Sequence, residues 1–172
     1  MGMYVYVVYN GLQQRKDLIN RADGCLADPA TGKVLTDVLH VPGESATLTS
    51  EFEQDAFYEY GRRLEYNLAI GCAGRDWHDV LAAMVGFERN AEAGPTDGPF
   101  QEILHPHHAF TVHGPKTSKK LLADFDAWEE KAKRFSDAEF YLAYWWLRCC
   151  FGHGAQNGAV RMTRRMPQAL AA

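Results

Sequence analysis

The chain has 172 residues, 47% of them apolar and 23% charged, with a formal charge of −4. A chain of this length buries roughly 70% of its unfolded surface, so no disulfide or metal is required to hold a core. The mild negative charge excludes adhesion of the whole surface to nucleic acid or an anionic membrane, and leaves room only for a local basic face.

Tyr4, Val5, Tyr6, Val7, Val8 and Tyr9 are all β-branched or aromatic and are followed by Asn10-Gly11. They predict a strand buried on at least one face. Residues 12–21 read as a short helix. Asp28-Pro29-Ala30-Thr31-Gly32 carries turn chemistry between residues 25–27 and 33–39, which predicts a hairpin with a five-residue loop. Ser50 and Glu53 form a capping box. Phe52, Ala56, Phe57, Tyr60, Leu64 and Leu68 then follow at helical spacing, so a long amphipathic helix is expected, ending at Gly71 or Gly74. Asp76 caps the next helix, whose inner stripe is Trp77, Val80, Leu81, Met84 and Val85.

Residues 93–116 hold four prolines and read as a long irregular loop with one short strand at 109–112. Thr117 is expected to cap a third helix with Leu121, Leu122, Phe125, Trp128, Ala132 and Phe135 inside. The fourth, 137–151, has twelve apolar or aromatic residues in fifteen, which predicts burial on nearly all sides and makes it the expected centre of the core. Ser136 is placed to cap it and Gly152 to end it.

These elements predict an α+β fold that is predominantly helical, about four helices after a small N-terminal antiparallel sheet. A single domain is expected over residues 1–154. Residues 155–172, with Arg161, Arg164 and Arg165 and no acid, read as a basic C-terminal tail or edge segment.

Four stretches could carry chemistry. His105, His107, His108 and His113 fall within nine positions. In an extended segment His105 and His107 share a side and could share a metal. The spacing matches neither HxHxDH nor HExxH, and the alternative is a histidine-rich surface loop. Second, the twenty-one residues from Ile103 to Ala123 contain no acid, while Lys116, Lys119 and Lys120 join the histidines there. Lysines at a helix start oppose the helix dipole and suit an anion; the alternative is a solvated helix end. Gly114-Pro115-Lys116-Thr117 is not a P-loop, because Pro115 stands where a glycine belongs. Third, Tyr141, Tyr144, Trp145, Trp146 and Phe151 could stack bases only if a ring reached the surface; helical spacing favours core. Fourth, Cys149-Cys150-Phe151-Gly152-His153 could set a thiol beside an imidazole, against the commoner reading of packed thiols.

No complete catalytic constellation emerges. The function expected is a small cytoplasmic binding or inhibitor-type protein. It acts stoichiometrically on a protein or anionic partner, nucleic acid included, through residues 94–120. His105, His107, His108, His113, Lys116, Lys119 and Lys120 are the expected contacts. No metal, cofactor or membrane is called for. The alternative is a metal-dependent phosphoesterase or nuclease built on the histidines, with Asp76, Asp79 or Glu102 supplying a carboxylate.

Cys25, Cys72, Cys149 and Cys150 form no CxxC pair and read as reduced thiols of a reducing compartment. A thiol titration of freshly prepared protein, denatured without reductant, should therefore find all four.

Overall fold

The structure is a computed structural model, and it describes residues 3–43, 51–68, 76–88, 98–105, 111–135 and 138–165. Its main sheet is built on β1 (Met3–Asn10), which lies between β7 (Arg62–Leu68) and β9 (Gly158–Arg165). The short β8 (Val112–His113) extends it beyond β9, and every pairing is antiparallel. A second sheet holds β2 (Gln13–Arg15), β6 (Ala56–Glu59) and β5 (Leu39–Val41), in that order. β3 (Ile19–Asn20) and β4 (Leu26–Ala27) form a two-stranded ribbon. The helices are α1 (Trp77–Val85), α2 (Gln101–Leu104), α3 (Pro115–Phe135) and α4 (Ala138–Gly154).

Strand alternation divides the interior in two. Tyr6, Val8, Leu68, Val160 and Met162 face the helices and pack with Trp77, Leu81, Phe125, Tyr144 and Phe151. Val5, Val7, Tyr9, Ala159 and Val112 face the second sheet, against Leu39, Val41, Ala56 and Tyr58. The layers are thus helices, main sheet, second sheet. Arg15 holds the smaller pieces together, reaching Asp17 at 2.8 Å, Asp28 at 2.9 Å and Glu59 at 2.6 Å.

The expectation of a predominantly helical protein with a small sheet is therefore corrected. Among the described residues, with 40% helix, 28% strand and sheets of four, three and two strands, the fold is a mixed α+β fold. Two misread segments account for most of the difference. Residues 56–68 form the β6 and β7 strands rather than a helix. Ala56 and Tyr58, then Leu64, Tyr66 and Leu68, alternate inward at period two, and the spacing of Leu64 and Leu68 satisfies a helix equally well. Asp55 takes a positive φ of 53°, which interrupts any helix from 51, and Gly61 turns the chain into β7. Residues 158–165, within the stretch expected as a tail or edge segment, form the β9 strand, paired with β1 along its whole length and with β8 at Val160 and Arg161. Residues 12–21, expected as a helix, give β2 and β3 instead.

Other expectations stand or shift by a turn. Asp76 caps α1, accepting from the His78 N–H at 2.8 Å. The 28–33 turn closes as expected, with Asp28 N–H donating to Lys33 O at 2.9 Å. α3 starts at Pro115, where the missing N–H costs nothing, not at a Thr117 cap. α4 continues past Gly152 to Gly154, where a Cβ would lie 2.6 Å from Ser118 Oγ and from Val160 Cγ2. Only a glycine lets α4 close onto α3 and β9 there. Ser50 and Ser136 lie outside the described residues.

The helical core is aromatic, and the polar atoms of Tyr144, Trp77 and His78 are paired within it. Phe125 meets Phe100 and Tyr144 edge-on, both at 4.8 Å between centroids. Tyr144 O–H donates to Phe125 O at 2.6 Å and Trp77 Nε1–H to Phe140 O at 3.1 Å. His78, fully buried, places Nδ1 3.0 Å from Asp76 and Nε2 2.7 Å from the Tyr6 hydroxyl. The carboxylate only accepts, so Nδ1 carries a proton toward Asp76.

α4 is buried on one face only. Phe140, Ala143, Tyr144, Leu147, Cys150 and Phe151 point in, whereas Leu142 is 56% exposed and Trp145 and Trp146 are each 43% exposed. That overturns the expected burial on nearly all sides. Leu147→Ala should lower stability by about 2–5 kcal/mol, while Trp145→Ala should cost under about 1 kcal/mol. Urea midpoints of the two variants check the order.

Candidate functional site

Two of the residues predicted to form a site, His107 and His108, lie outside the described residues. His113 is 1% exposed on β8, its ring 6.1 Å from that of Phe151. His105, half-buried, follows α2. Among the described residues no three His, Cys, Asp or Glu side chains are grouped to hold a metal ion. Two of the three carboxylates considered for that role are engaged elsewhere, Asp76 on His78 and Glu102 on Lys120 at 2.8 Å.

The basic helix start is likewise occupied from within. Glu51 accepts the backbone N–H of Lys116 at 2.5 Å and of Thr117 at 3.0 Å. A carboxylate thus already sits where the helix dipole favours an anion, and Gly114 leaves it room, since a Cβ there would lie 2.7 Å from Glu51 Oε2. Lys120 meets Glu102, Asp124 at 2.9 Å and Gly98 O at 2.8 Å. Lys116 and Lys119 remain as exposed cations.

The structure brings together instead two stretches that the sequence singled out separately, the aromatic run and the Cys149–Cys150–His153 cluster. They meet β7. α4 crosses the helix face of the main sheet and leaves a cleft along β7, with a cavity of about 320 Å³. Val8, Leu64, Tyr66, Trp146, Cys149 and Cys150 line it, with the Glu65 carboxylate and the His153 imidazole beside them. Tyr66 and Trp146 stack at 5.5 Å and 21°, forming one flat aromatic wall. Trp145 stands edge-on to Trp146 at 5.2 Å.

The thiols are not poised as nucleophiles. Burial pushes Cys149 up from its ordinary value, and Cys150, 7% exposed, up to about 12. A nucleophilic thiolate requires the opposite shift. Both therefore present neutral, polarisable S–H groups to the cavity at neutral pH. Burial likewise raises the Tyr66 hydroxyl, so this wall also stays uncharged.

What sequence reasoning missed is β7's share of this cleft. The signal available was the alternation of Leu64, Tyr66 and Leu68, concealed by a helical reading of the same residues.

A thiol whose folded pKa is raised contributes stability that is whole below its unfolded pKa, about 8.5, and is lost as pH rises toward the folded value. Native protein should lose more stability between about pH 8 and about pH 10 than the Cys150→Ala variant does, measured by urea denaturation at each pH. At about pH 8 a disulfide reagent should modify exposed Cys25 first, Cys149 slowly and Cys150 only on unfolding, in a background carrying Cys72→Ser.

No protein-family model matches the chain, and neither a curated protein nor a solved structure matches it. The functional reading therefore rests on the chemistry of the cleft itself.

Proposed function

We propose that this chain is a non-catalytic binding protein for a small, apolar, ring-bearing ligand, taken into the cleft between β7 and α4. One observation carries the reading: a 320 Å³ cavity with mostly apolar walls, with Glu65 and His153 as its one carboxylate and one imidazole. Ligand pockets run from about 300 to 1,000 Å³ and share that make-up. The Tyr66–Trp146 wall favours a flat ring, and the sulfurs of Cys149 and Cys150 favour a polarisable one. Protonated thiols support binding over nucleophilic chemistry. The helix start at 115–120 is a weaker anion site, because the chain's own Glu51 already meets the Lys116 and Thr117 N–H groups and Glu102 and Asp124 meet Lys120.

A ligand of about ten non-hydrogen atoms gains about 6 kcal/mol, an affinity in the tens of micromolar. Titration with 1-aminoanthracene, an uncharged fluorescent ring system, should saturate at one probe per chain and quench Trp146. Leu64→Arg, which puts a charge into the cavity wall, should weaken binding about tenfold or more, with the fold monitored by circular dichroism. Absence of saturable binding, or affinity unchanged in folded Leu64→Arg protein, would overturn the proposal.

A further inference from the structure

β7 is the outer strand of the main sheet among the described residues. It runs for seven residues, RRLEYNL, with neither proline nor glycine. Its far side presents a row of backbone donors and acceptors of the kind that recruits another strand. Beside it on α4, Leu142, Trp145, Trp146 and Cys149 follow at i, i+3, i+4 and i+7, the spacing of one helical stripe. The three largest of them are 43% or more exposed. An apolar stripe next to an open edge is an interface pattern.

The charges on β7 indicate which strand fits. About Leu64 the order is Arg62, Arg63, Leu64, Glu65, Tyr66. If a second β7 is laid antiparallel with Leu64 opposite Leu64, Arg63 faces Glu65 of the second copy, twice by symmetry. On the helix face Leu64 meets Leu64, and Arg62 reaches the ring of Tyr66 of the second copy, a cation–π geometry. Arg63 and Glu65 already pair within the strand, so the same two side chains can exchange partners across the two-fold axis. Opposite charges directly across a ladder are favourable, like charges are not, and a self-complementary patch is what a two-fold dimer requires.

We propose that this chain forms a symmetric dimer by antiparallel pairing of β7 with β7, joining two four-stranded sheets into one of eight. The α4 stripes of the two copies then flank the seam on one face. The inference stands independently of ligand binding in the cleft.

Sedimentation of the full chain should give twice the 19.3 kDa protomer mass at micromolar concentration. E65K and R63E each set like charges opposite one another and should shift the mass to that of the protomer. The combined R63E/E65K variant restores complementarity and should restore the dimer, an outcome specific to this register. A monomeric native chain would overturn the proposal and leave the β7 charges as a guard against strand addition. So would a dimer that survives E65K, or a charge swap that fails to restore association in protein folded by circular dichroism. Mass and probe binding are separate readouts, so a monomer that binds 1-aminoanthracene would overturn the dimer alone.

Discussion

The structure depends on the burial of β1 on both faces. Val5, Tyr6, Val7, Val8 and Tyr9 are each 8% exposed or less, so consecutive residues serve opposite cores. A strand covered on both sides needs a full layer on each. The helices supply one and the β5–β6–β2 sheet the other. Neither layer is optional, because removing either would expose half of the most apolar run in the chain. The order of elements follows from this, with β7 and β9 flanking β1 and satisfying its backbone along both edges.

The cleft is a by-product of how one of those layers is made. α4 has two characters around its circumference. The face carrying Tyr144, Leu147 and Phe151 is anchored in the aromatic cluster at Phe125, while the stripe from Leu142 to Cys149 turns toward β7 and solvent. Because the helix is held by its inner face, its lateral face does not settle fully onto the edge strand. The gap is roofed by Trp146 on Tyr66 and floored by Val8 and Cys150. A rigid frame around a partly open apolar space is the arrangement in which ligand sites occur.

Where one physical signal acted alone, the sequence was legible. Tyr4 to Tyr9 of β1 have no charged residue among them to confuse the reading, Asp76 precedes its helix as a plain cap, and α3 shows a clean stripe at Leu121, Phe125 and Ala132. Where two signals coincided, it was not. The residues around Leu64 satisfy periods of two and of nearly four, and what decides between them is the distant partner β1, which no local pattern contains. β9 was obscured by its arginines, whose charge masked the inward alternation of Val160 and Met162. The cleft inherited both difficulties: its cysteines and tryptophans were conspicuous individually, but their opposite wall belonged to a segment assigned to the wrong secondary structure. Lys120 and the α3 start were found as a basic feature, while the carboxylates that meet them come from Glu51 and Glu102, remote in sequence or across a loop.

The pairing of β1 with β9 also bears on how the molecule comes into being. Val5 and Thr163 are neighbours in the ladder, 158 residues apart in the chain. Ladders that close over such spans form slowly, because the entropy of loop closure must be met before the contact is made. On a ribosome, β1 emerges long before β9. Until β9 is released, one edge of this apolar strand stays open, beside whatever part of the core has already gathered. Over that interval a nascent chain of this design is in need of shelter, and a premature stop before residue 158 would leave that edge permanently bare.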